Sequence, residues 1–166
     1  MVRRLRVVVV CTARIGLEHV IPAMKRSERC EVVAIASRDA QKARHAATER
    51  LAPRAYGDYG SLLNDTEVDA VSIPLPNHLH EPWTLAATEA GKHILCEKPL
   101  APDVNHELRM IDGCHRAGVA LQEAFMYRFH PQWRRVLELV SSGCLMWNGW
   151  SSARGGSGRA GFWAVR

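Results

Sequence analysis

The stretch L-R-V-V-V-V-C-T-A-R-I-G, residues 5–16, decides the fold class of this chain. Its first six residues are apolar apart from one arginine, and the next six form a turn that ends at Gly16. A short run rich in valine is typical of a buried strand. Since a segment with helical spacing follows over residues 14–26, the stretch predicts a strand that turns directly into a helix.

The same alternation recurs along the chain. Further strands are predicted at residues 32–37, 69–74, 92–97 and 119–124, and further helices at 39–51, 77–90, 103–117 and 131–140. Continuous apolar strands separated by single helices predict a parallel sheet covered on both faces. Right-handed crossovers then give an α/β fold with a doubly wound parallel sheet.

Composition limits the classes of protein to which the chain can belong. The 166 residues are 47% hydrophobic and suffice for one ordinary domain. The net charge is +5, but the 22 basic residues are interleaved with 17 acidic ones, so no nucleic-acid partner is predicted. No apolar stretch is long enough to span a membrane. The five cysteines lack a C-x-x-C pair, which favours free thiols in a reducing cytoplasm.

The end of the chain differs from the rest. Residues 143–166 hold six glycines and three of the five tryptophans, and they contain no Asp, Glu or Lys. No period of 2 or 3.6 residues would bury these aromatic side chains. We therefore predict a domain over residues 1–142, followed by either a disordered tail or the product of a shifted reading frame, of which the frameshift is favoured.

The turn after the first strand has the position of a phosphate-binding loop. It consists of Cys11, Thr12, Ala13, Arg14, Ile15 and Gly16. In a G-x-G-x-x-G turn, glycines let the backbone approach a pyrophosphate at the start of a helix. Only the third glycine is present here, and Cys11 at the first position would cost about 1 kcal/mol if a positive φ is required. A plain strand-to-helix turn is the alternative.

Two residues at the end of the second strand bear on which cofactor binds. An acidic residue at this position would bond the 2′-hydroxyl of NAD, but the chain has Ser37 and Arg38. A hydroxyl and a guanidinium suit a 2′-phosphate, so NADP is predicted in preference to NAD. Alternatively, Arg38 is only a solvated residue at the start of a helix.

Glu97-Lys98-Pro99 follows the strand predicted at residues 92–97. Ligands of open parallel sheets bind outside the carboxyl ends of the strands, so Lys98 should project into the crevice. A lysine there can polarise a carbonyl or stabilise a developing alkoxide. As a tripeptide alone, however, it is also a common surface turn.

Three segments together carry a family resemblance: V-S-I-P-L-P-N-H-L-H (71–80), G-K-H-I-L-C-E-K-P-L-A (91–101) and E-A-F-M-Y-R-F-H-P (123–131). They resemble the glucose–fructose oxidoreductase / inositol dehydrogenase (Gfo/Idh/MocA) family, and most of all its dihydrodiol and xylose dehydrogenase branch. The resemblance implies a Rossmann domain that binds NADP or NAD. It also implies a second α/β domain that binds a small sugar or diol substrate and usually mediates homo-oligomer formation.

The resemblance also implies roles for individual residues. Lys98 corresponds to the catalytic lysine of the family, and the proline that follows it is typically cis. Further residues implied to line the cofactor or its pocket are Pro74, Leu75, Pro76, Asn77, His80, Glu97 and Arg128. His78 and His80 form H-x-H without an evident third ligand, so no metal is expected.

Two departures from the family pattern limit these expectations. Cys11 replaces the first glycine, and the second, substrate domain has no counterpart after residue 142. We therefore expect the chain alone to bind NADP weakly and to turn over little or nothing. A non-catalytic NADP-binding sensor or interaction module remains an alternative, and nucleic-acid binding is the least favoured one.

Overall fold

The computed structural model describes residues 3–143. The chain divides into two compact units, one ending at Phe125 and the other beginning at Met126. The domain limit at residue 142 stays a prediction, and the expected disordered or frameshifted tail lies in residues 144–166, outside the described part.

The first unit is built on six parallel strands. They are β1 (Leu5–Val10), β2 (Cys30–Ala36), β3 (Arg54–Tyr56), β4 (Ala70–Ile73), β5 (His93–Cys96) and β6 (Leu121–Glu123). Their order in the sheet is β3-β2-β1-β4-β5-β6, and all neighbouring strands run parallel. The order reverses at β1, as in dinucleotide-binding sheets. The predicted doubly wound parallel sheet is confirmed.

Helices connect the strands. They are α1 (Ile21–Lys25), α2 (Ala40–Glu49), α3 (Tyr59–Leu63), α4 (His80–Glu89) and α5 (Val104–Ala117). A π-helical turn, Gly16–Val20, precedes α1, and a 3-10 turn, Asn77–Leu79, precedes α4. Aspartate side chains cap α2, α3 and α5 by accepting backbone N–H groups, which otherwise lack partners in the first turn.

The predicted elements agree with the structure to within two residues at each end when the π-helical turn is counted with α1 and the 3-10 turn with α4. Sequence reasoning missed β3 and α3, which have only three and five residues. β3, Arg54-Ala55-Tyr56, is too short to show a period, and all three of its residues are half-buried. Its place in the sheet comes from pairing with β2, a contact that no local pattern indicates.

The core covers both faces of the sheet. Val8 and Val10 pack into the larger apolar cluster, whereas Val9 packs into a second cluster with Ile21 and Ile35. Successive side chains of a strand point to opposite faces, so β1 lies between two apolar layers. This arrangement explains why β1 is a continuous run of valines rather than an alternating pattern.

The second unit begins with a 3-10 turn, Met126–Phe129, and continues with α6 (Pro131–Ser141). His130 caps the helix by accepting the N–H of Gln132. The rings of Tyr127 and Trp133 meet edge to face, with their centroids 5.3 Å apart. The helix predicted to start at Pro131 is confirmed.

An ion pair ties β1 to β4 at the amino ends of the strands. The carboxylate of Asp69 accepts from Nη2 and Nε of Arg6 at 2.9 and 3.0 Å, and from the backbone N–H of Arg6 at 2.8 Å. Arg3 also donates to Asp69, at 2.6 Å. These bonds, first among them the one from the Arg6 side chain, lower the pKa of Asp69 to about 2.

We predict that Asp69→Asn destabilises the protein at neutral pH and that the difference disappears in acid. A carboxyl group whose pKa is depressed on folding stabilises the native state above its unfolded pKa, and this stabilisation is lost as pH falls towards about 2. Allowing for solvent screening, the loss at neutral pH is about 1 kcal/mol. Urea unfolding of both proteins across this acidic range measures it.

Asp112→Asn is the matched control, since Asp112 is an exposed residue of α5. The same change of charge there should leave the unfolding free energy within about 0.5 kcal/mol of the wild type. An equal loss in both variants would show that net charge, rather than the Arg6 contact, is responsible.

Candidate functional site

A cleft of about 300 Å³ opens at the carboxyl ends of β1, β2 and β4. It is lined by Cys11, Thr12, Ala13, Ser37, Arg38, Asp39, Lys42, Tyr59, Pro74, Leu75, Pro76 and Leu79. The loops after these three strands meet where the strand order reverses. In open α/β sheets this is the place at which a ligand binds.

Cys11 adopts the left-handed backbone conformation, with φ of 73°. Its N–H donates to the carbonyl oxygen of Ala36 at 2.8 Å. Its Sγ donates to the carbonyl oxygen of Pro74 and accepts from the N–H of Ala13, each at 3.3 Å. Burial raises the pKa of the thiol, so it is protonated and can donate. The turn thus has the positive φ expected of the absent glycine.

Gly16 is required by close packing. A Cβ at this position would lie 3.2 Å from Cγ of Pro74 and 3.2 Å from Cγ1 of Val9. This matches the third glycine of a dinucleotide-binding turn, which lets the helix approach the sheet. The π-helical turn starts here, with the N–H of Ile21 donating to the carbonyl oxygen of Gly16. Pro22 follows and has no N–H to continue the α-helical pattern.

Arg14 and Ile15 lie in the same turn but outside the set of residues that line the cleft. The Arg14 side chain is exposed, and its Nε donates to Glu18 at 2.7 Å. The predicted phosphate loop is therefore represented in the cleft by Cys11, Thr12 and Ala13.

The loop after β2 brings two cationic side chains to the cleft. Arg38 is exposed and takes part in no ion pair within residues 3–143. Lys42 Nζ lies 4.0 Å from Asp39 Oδ2. Ser37 is buried, and its Oγ accepts the N–H of Asp39 at 3.2 Å. The positions predicted for Ser37 and Arg38 therefore coincide with the cleft.

Asp39 is the acidic residue among those that line the cleft, but its carboxylate caps α2. Oδ1 accepts the N–H groups of Gln41 and Lys42 at 2.9 and 3.1 Å. The bond from Lys42 is the first cause that lowers the pKa of Asp39. Asp39 is thus used in helix capping and in the pair with Lys42. Of the charged residues that line the cleft, Arg38 alone takes part in no ion pair within residues 3–143.

Sequence reasoning missed four of the lining residues: Asp39, Lys42, Tyr59 and Leu79. Lys42 could have been found from the cap, because a residue three positions after Asp39 lies on the same side of the first helical turn. Tyr59 belongs to the unpredicted α3, where its ring meets Trp83 edge to face at 4.7 Å. No local pattern indicates that Tyr59 reaches this cleft.

The loop after β4 forms the opposite wall with Pro74, Leu75 and Pro76. Asn77 is exposed at the start of the 3-10 turn and does not line the cleft. His80 was predicted to contact the cofactor, but its side chain is fully buried and bonded to backbone carbonyl groups. The structure therefore places His80 behind this wall.

The turn after β5 carries Glu97 and Lys98 at the same edge of the sheet, since β5 pairs with β4 in parallel. Lys98 is exposed, and its N–H donates to Oε2 of Glu97 at 2.8 Å. The Lys98–Pro99 peptide bond is cis. Neither Glu97 nor Lys98 lines the cleft itself. Arg128 lies in the second unit, so its place at the pocket stays a prediction.

No helix of the described part is long and apolar enough to cross a membrane. Among residues 3–143 there is also no group of three His, Cys, Asp or Glu side chains that could hold a metal ion.

The sheet order and the cleft define a dinucleotide-binding domain, and comparison with known proteins gives its family. A family model described as an oxidoreductase family with an NAD-binding Rossmann fold matches residues 5–125. The chain belongs to this Gfo/Idh/MocA family, which confirms the resemblance identified in the three sequence segments.

Individual relatives include sugar dehydrogenases and reductases. D-xylose 1-dehydrogenase (NADP(+)) 2 of Haloferax volcanii is 53% identical over 131 residues, which cover 79% of this chain and 40% of that protein. A dTDP-3,4-didehydro-2,6-dideoxy-alpha-D-glucose 3-reductase of Streptomyces violaceoruber is 41% identical over 144 residues, which are 87% and 42% of the two chains.

A solved structure is also similar. It is the 3-ketoreductase KijD10 of Actinomadura kijaniata in complex with TDP-benzene and NADP, with a TM-score of 0.80 and 37% identity. The match covers 86% of this chain and 45% of that one. The chain thus spans less than half the length of the relatives it matches.

We predict that the free energy of unfolding of Cys11→Gly is about 1 kcal/mol higher than that of Cys11→Ala. Both variants lose the thiol and its two hydrogen bonds, so they differ in whether a Cβ must occupy a backbone with φ of 73°. Urea unfolding of the two variants measures the difference.

The same pair at Cys30 is the control, because Cys30 starts β2 and has no positive φ. There the order should reverse, with Cys30→Gly less stable than Cys30→Ala by up to about 1 kcal/mol. If glycine is the less stable residue at both positions, the left-handed backbone does not strain Cys11.

Proposed function

We propose that this domain binds NADP(H) and is the cofactor-binding part of an oxidoreductase that transfers hydride between nicotinamide and a sugar-like or diol substrate. The observation that carries the proposal is the cleft at the strand reversal, in which Arg38 and Lys42 stand beside a turn with glycine-like backbone geometry. The names of the relatives support the substrate class, since they act on xylose and on a dideoxy sugar nucleotide.

The residues present fit a bound dinucleotide. The missing Cβ of Gly16 allows the backbone to approach Val9 of β1 and Pro74, and Cys11 has the positive φ of the first glycine. Thr12 and Ala13 line the cleft directly after β1, where backbone groups meet a pyrophosphate in this fold. The thiol of Cys11 accepts the N–H of Ala13, so this donor is engaged within the turn. We therefore propose that pyrophosphate binding is weaker than in a glycine-rich turn.

The preference for NADP over NAD follows from charge. Ser37, Arg38 and Lys42 can meet a 2′-phosphate, whereas the carboxylate of Asp39 is engaged by the helix. Hydrogen bonds between a guanidinium and a phosphate are among the strong ones in proteins. The names of two relatives, one an NADP(+) dehydrogenase and one solved with NADP, support this preference.

Lys98 is our proposed catalytic residue. When bound, the nicotinamide would supply or accept the hydride. The exposed ammonium of Lys98 would stabilise negative charge on the substrate oxygen as its proton leaves. Glu97 accepts the backbone N–H of Lys98 and so fixes the start of the turn.

Two further parts of the proposal concern the whole protein. Arg128 would border the same pocket, and subunits would associate as homo-oligomers.

We also propose a cytoplasmic location. The four cysteines of the described part, Cys11, Cys30, Cys96 and Cys114, are all free thiols. Two of them are buried. Burial raises the pKa of Cys96 to about 12, so its thiol stays protonated. Unpaired thiols of this kind are typical of a reducing compartment.

We predict that Arg38→Ala weakens NADPH binding by about 10-fold to 100-fold and leaves NADH binding within about twofold of the wild type. The reason is that only NADPH carries the 2′-phosphate that Arg38 would bond. Titration with each cofactor, followed by the fluorescence of the reduced nicotinamide, gives both dissociation constants.

Arg44→Ala removes the same charge six residues further along the chain, in α2, where Arg44 does not line the cleft. It should change neither constant by more than about twofold. Equal losses for NADPH in both variants would indicate a general effect of charge. If the wild-type protein binds neither cofactor, the proposed function is wrong.

A further inference from the structure

We propose that His80 is a positioning residue whose imidazole ring clamps the turn carrying Lys98 to the wall of the cofactor cleft. The importance of this turn rests on the proposed function of Lys98, but the clamp itself is a property of the described residues. His80 begins α4, and its side chain is 0% exposed. It therefore acts from behind the cleft wall and not by touching a ligand.

The ring joins two loops that are far apart in the chain. Its Nε2 lies 2.7 Å from the carbonyl oxygen of Leu75, in the loop after β4 that lines the cleft. Its Nδ1 lies 3.0 Å from the carbonyl oxygen of Pro99 and 3.2 Å from that of Leu100, in the loop after β5. One planar ring thus spans the distance between the two loops.

Both ring nitrogens must donate in this arrangement. Carbonyl oxygens only accept hydrogen bonds, so each nitrogen that faces one needs its own hydrogen. A neutral imidazole has a single N–H and would leave a lone pair facing a carbonyl oxygen. The clamp therefore holds His80 as an imidazolium, with the oxygens of Leu75, Pro99 and Leu100 around it.

The surroundings of the ring offset part of the cost of burying this charge. Glu123, at the end of β6, accepts the N–H of Leu100 with Oε1 at 2.8 Å. A carboxylate thus lies on the far side of the same turn whose carbonyl groups face Nδ1. Leu100 is therefore held from two sides: its carbonyl oxygen faces His80, and the N–H of Leu100 donates to Glu123.

This arrangement matters for Lys98 because its side chain is exposed and must be aimed by its backbone. The carbonyl oxygen of Pro99, the residue immediately after Lys98, is bonded to the ring, and the N–H of Lys98 donates to Glu97. Since Leu75 lies in the cleft wall, the clamp fixes the position of the lysine relative to the bound cofactor. A catalytic group displaced by about 1 Å can lose much of its effect.

The first test is nitrogen-15 NMR of the imidazole rings in the wild-type protein at neutral pH. We expect the ring of His80 to have a hydrogen on each nitrogen, and both hydrogens to exchange slowly because the ring is buried. A lone pair on either nitrogen would overturn the clamp. This measurement requires neither cofactor nor substrate, and it does not depend on whether a variant folds.

The second test compares His80→Gln with His78→Gln. A glutamine amide has a single nitrogen and can keep only one side of the clamp, so the turn should open more often. We expect hydrogen exchange at the N–H of Leu100 to accelerate by about tenfold or more in His80→Gln. His78 is exposed two residues away, so His78→Gln should leave this rate within about twofold.

The outcome separates the clamp from the proposed function. Unchanged exchange at Leu100 in a folded His80→Gln protein would refute the clamp even if NADPH still binds. Conversely, faster exchange together with an absence of NADPH binding in the wild type would support the clamp and refute the proposed function.

Discussion

The pairing of β1 with β2 on one side and with β4 on the other is the constraint on which the cleft depends. Because the order reverses at β1, the connections after β1 and β4 leave the sheet in different directions and a crevice stays open between them. Gly16 lets the backbone pass close to both strands, since a Cβ there would lie 3.2 Å from Val9 in β1 and 3.2 Å from Pro74 directly after β4. The position of the cleft is therefore set by the strand order, and single side chains act within it.

The two ends of the sheet use charge differently. At the amino ends, the guanidinium of Arg6 meets the carboxylate of Asp69 in paired bonds, which join β1 to β4. At the carboxyl ends, Arg38 is exposed and takes part in no ion pair among residues 3–143. An unpaired exposed cation contributes little to folding. Arg38 remains available to an anionic ligand. The charges that stabilise the fold thus lie at the amino ends of the strands, and the charge available for binding lies at the carboxyl ends.

Much of the fold could be predicted from the sequence because its buried strands are continuous apolar runs, and their ends place Ser37 and Arg38 by spacing alone. β3 and α3 could not be predicted, since their few residues are held by contacts distant in sequence. For the same reason Tyr59 was missed at the cleft. The motif containing His80 indicated the right loop but not the direction of the ring, which depends on carbonyl groups 19 and 20 residues away.

Cys11 shows how far the sheet determines the binding turn. The residue lacks the conformational freedom of glycine, yet its φ is 73°. Its N–H donates to Ala36 at the end of β2, and its thiol donates to Pro74 directly after β4, so both neighbouring strand ends hold the turn. The thiol also accepts the N–H of Ala13 within the turn itself. Because the strand ends impose this geometry, the loss of a glycine changes the cost of the turn and the donors it offers, while the path of the backbone is retained.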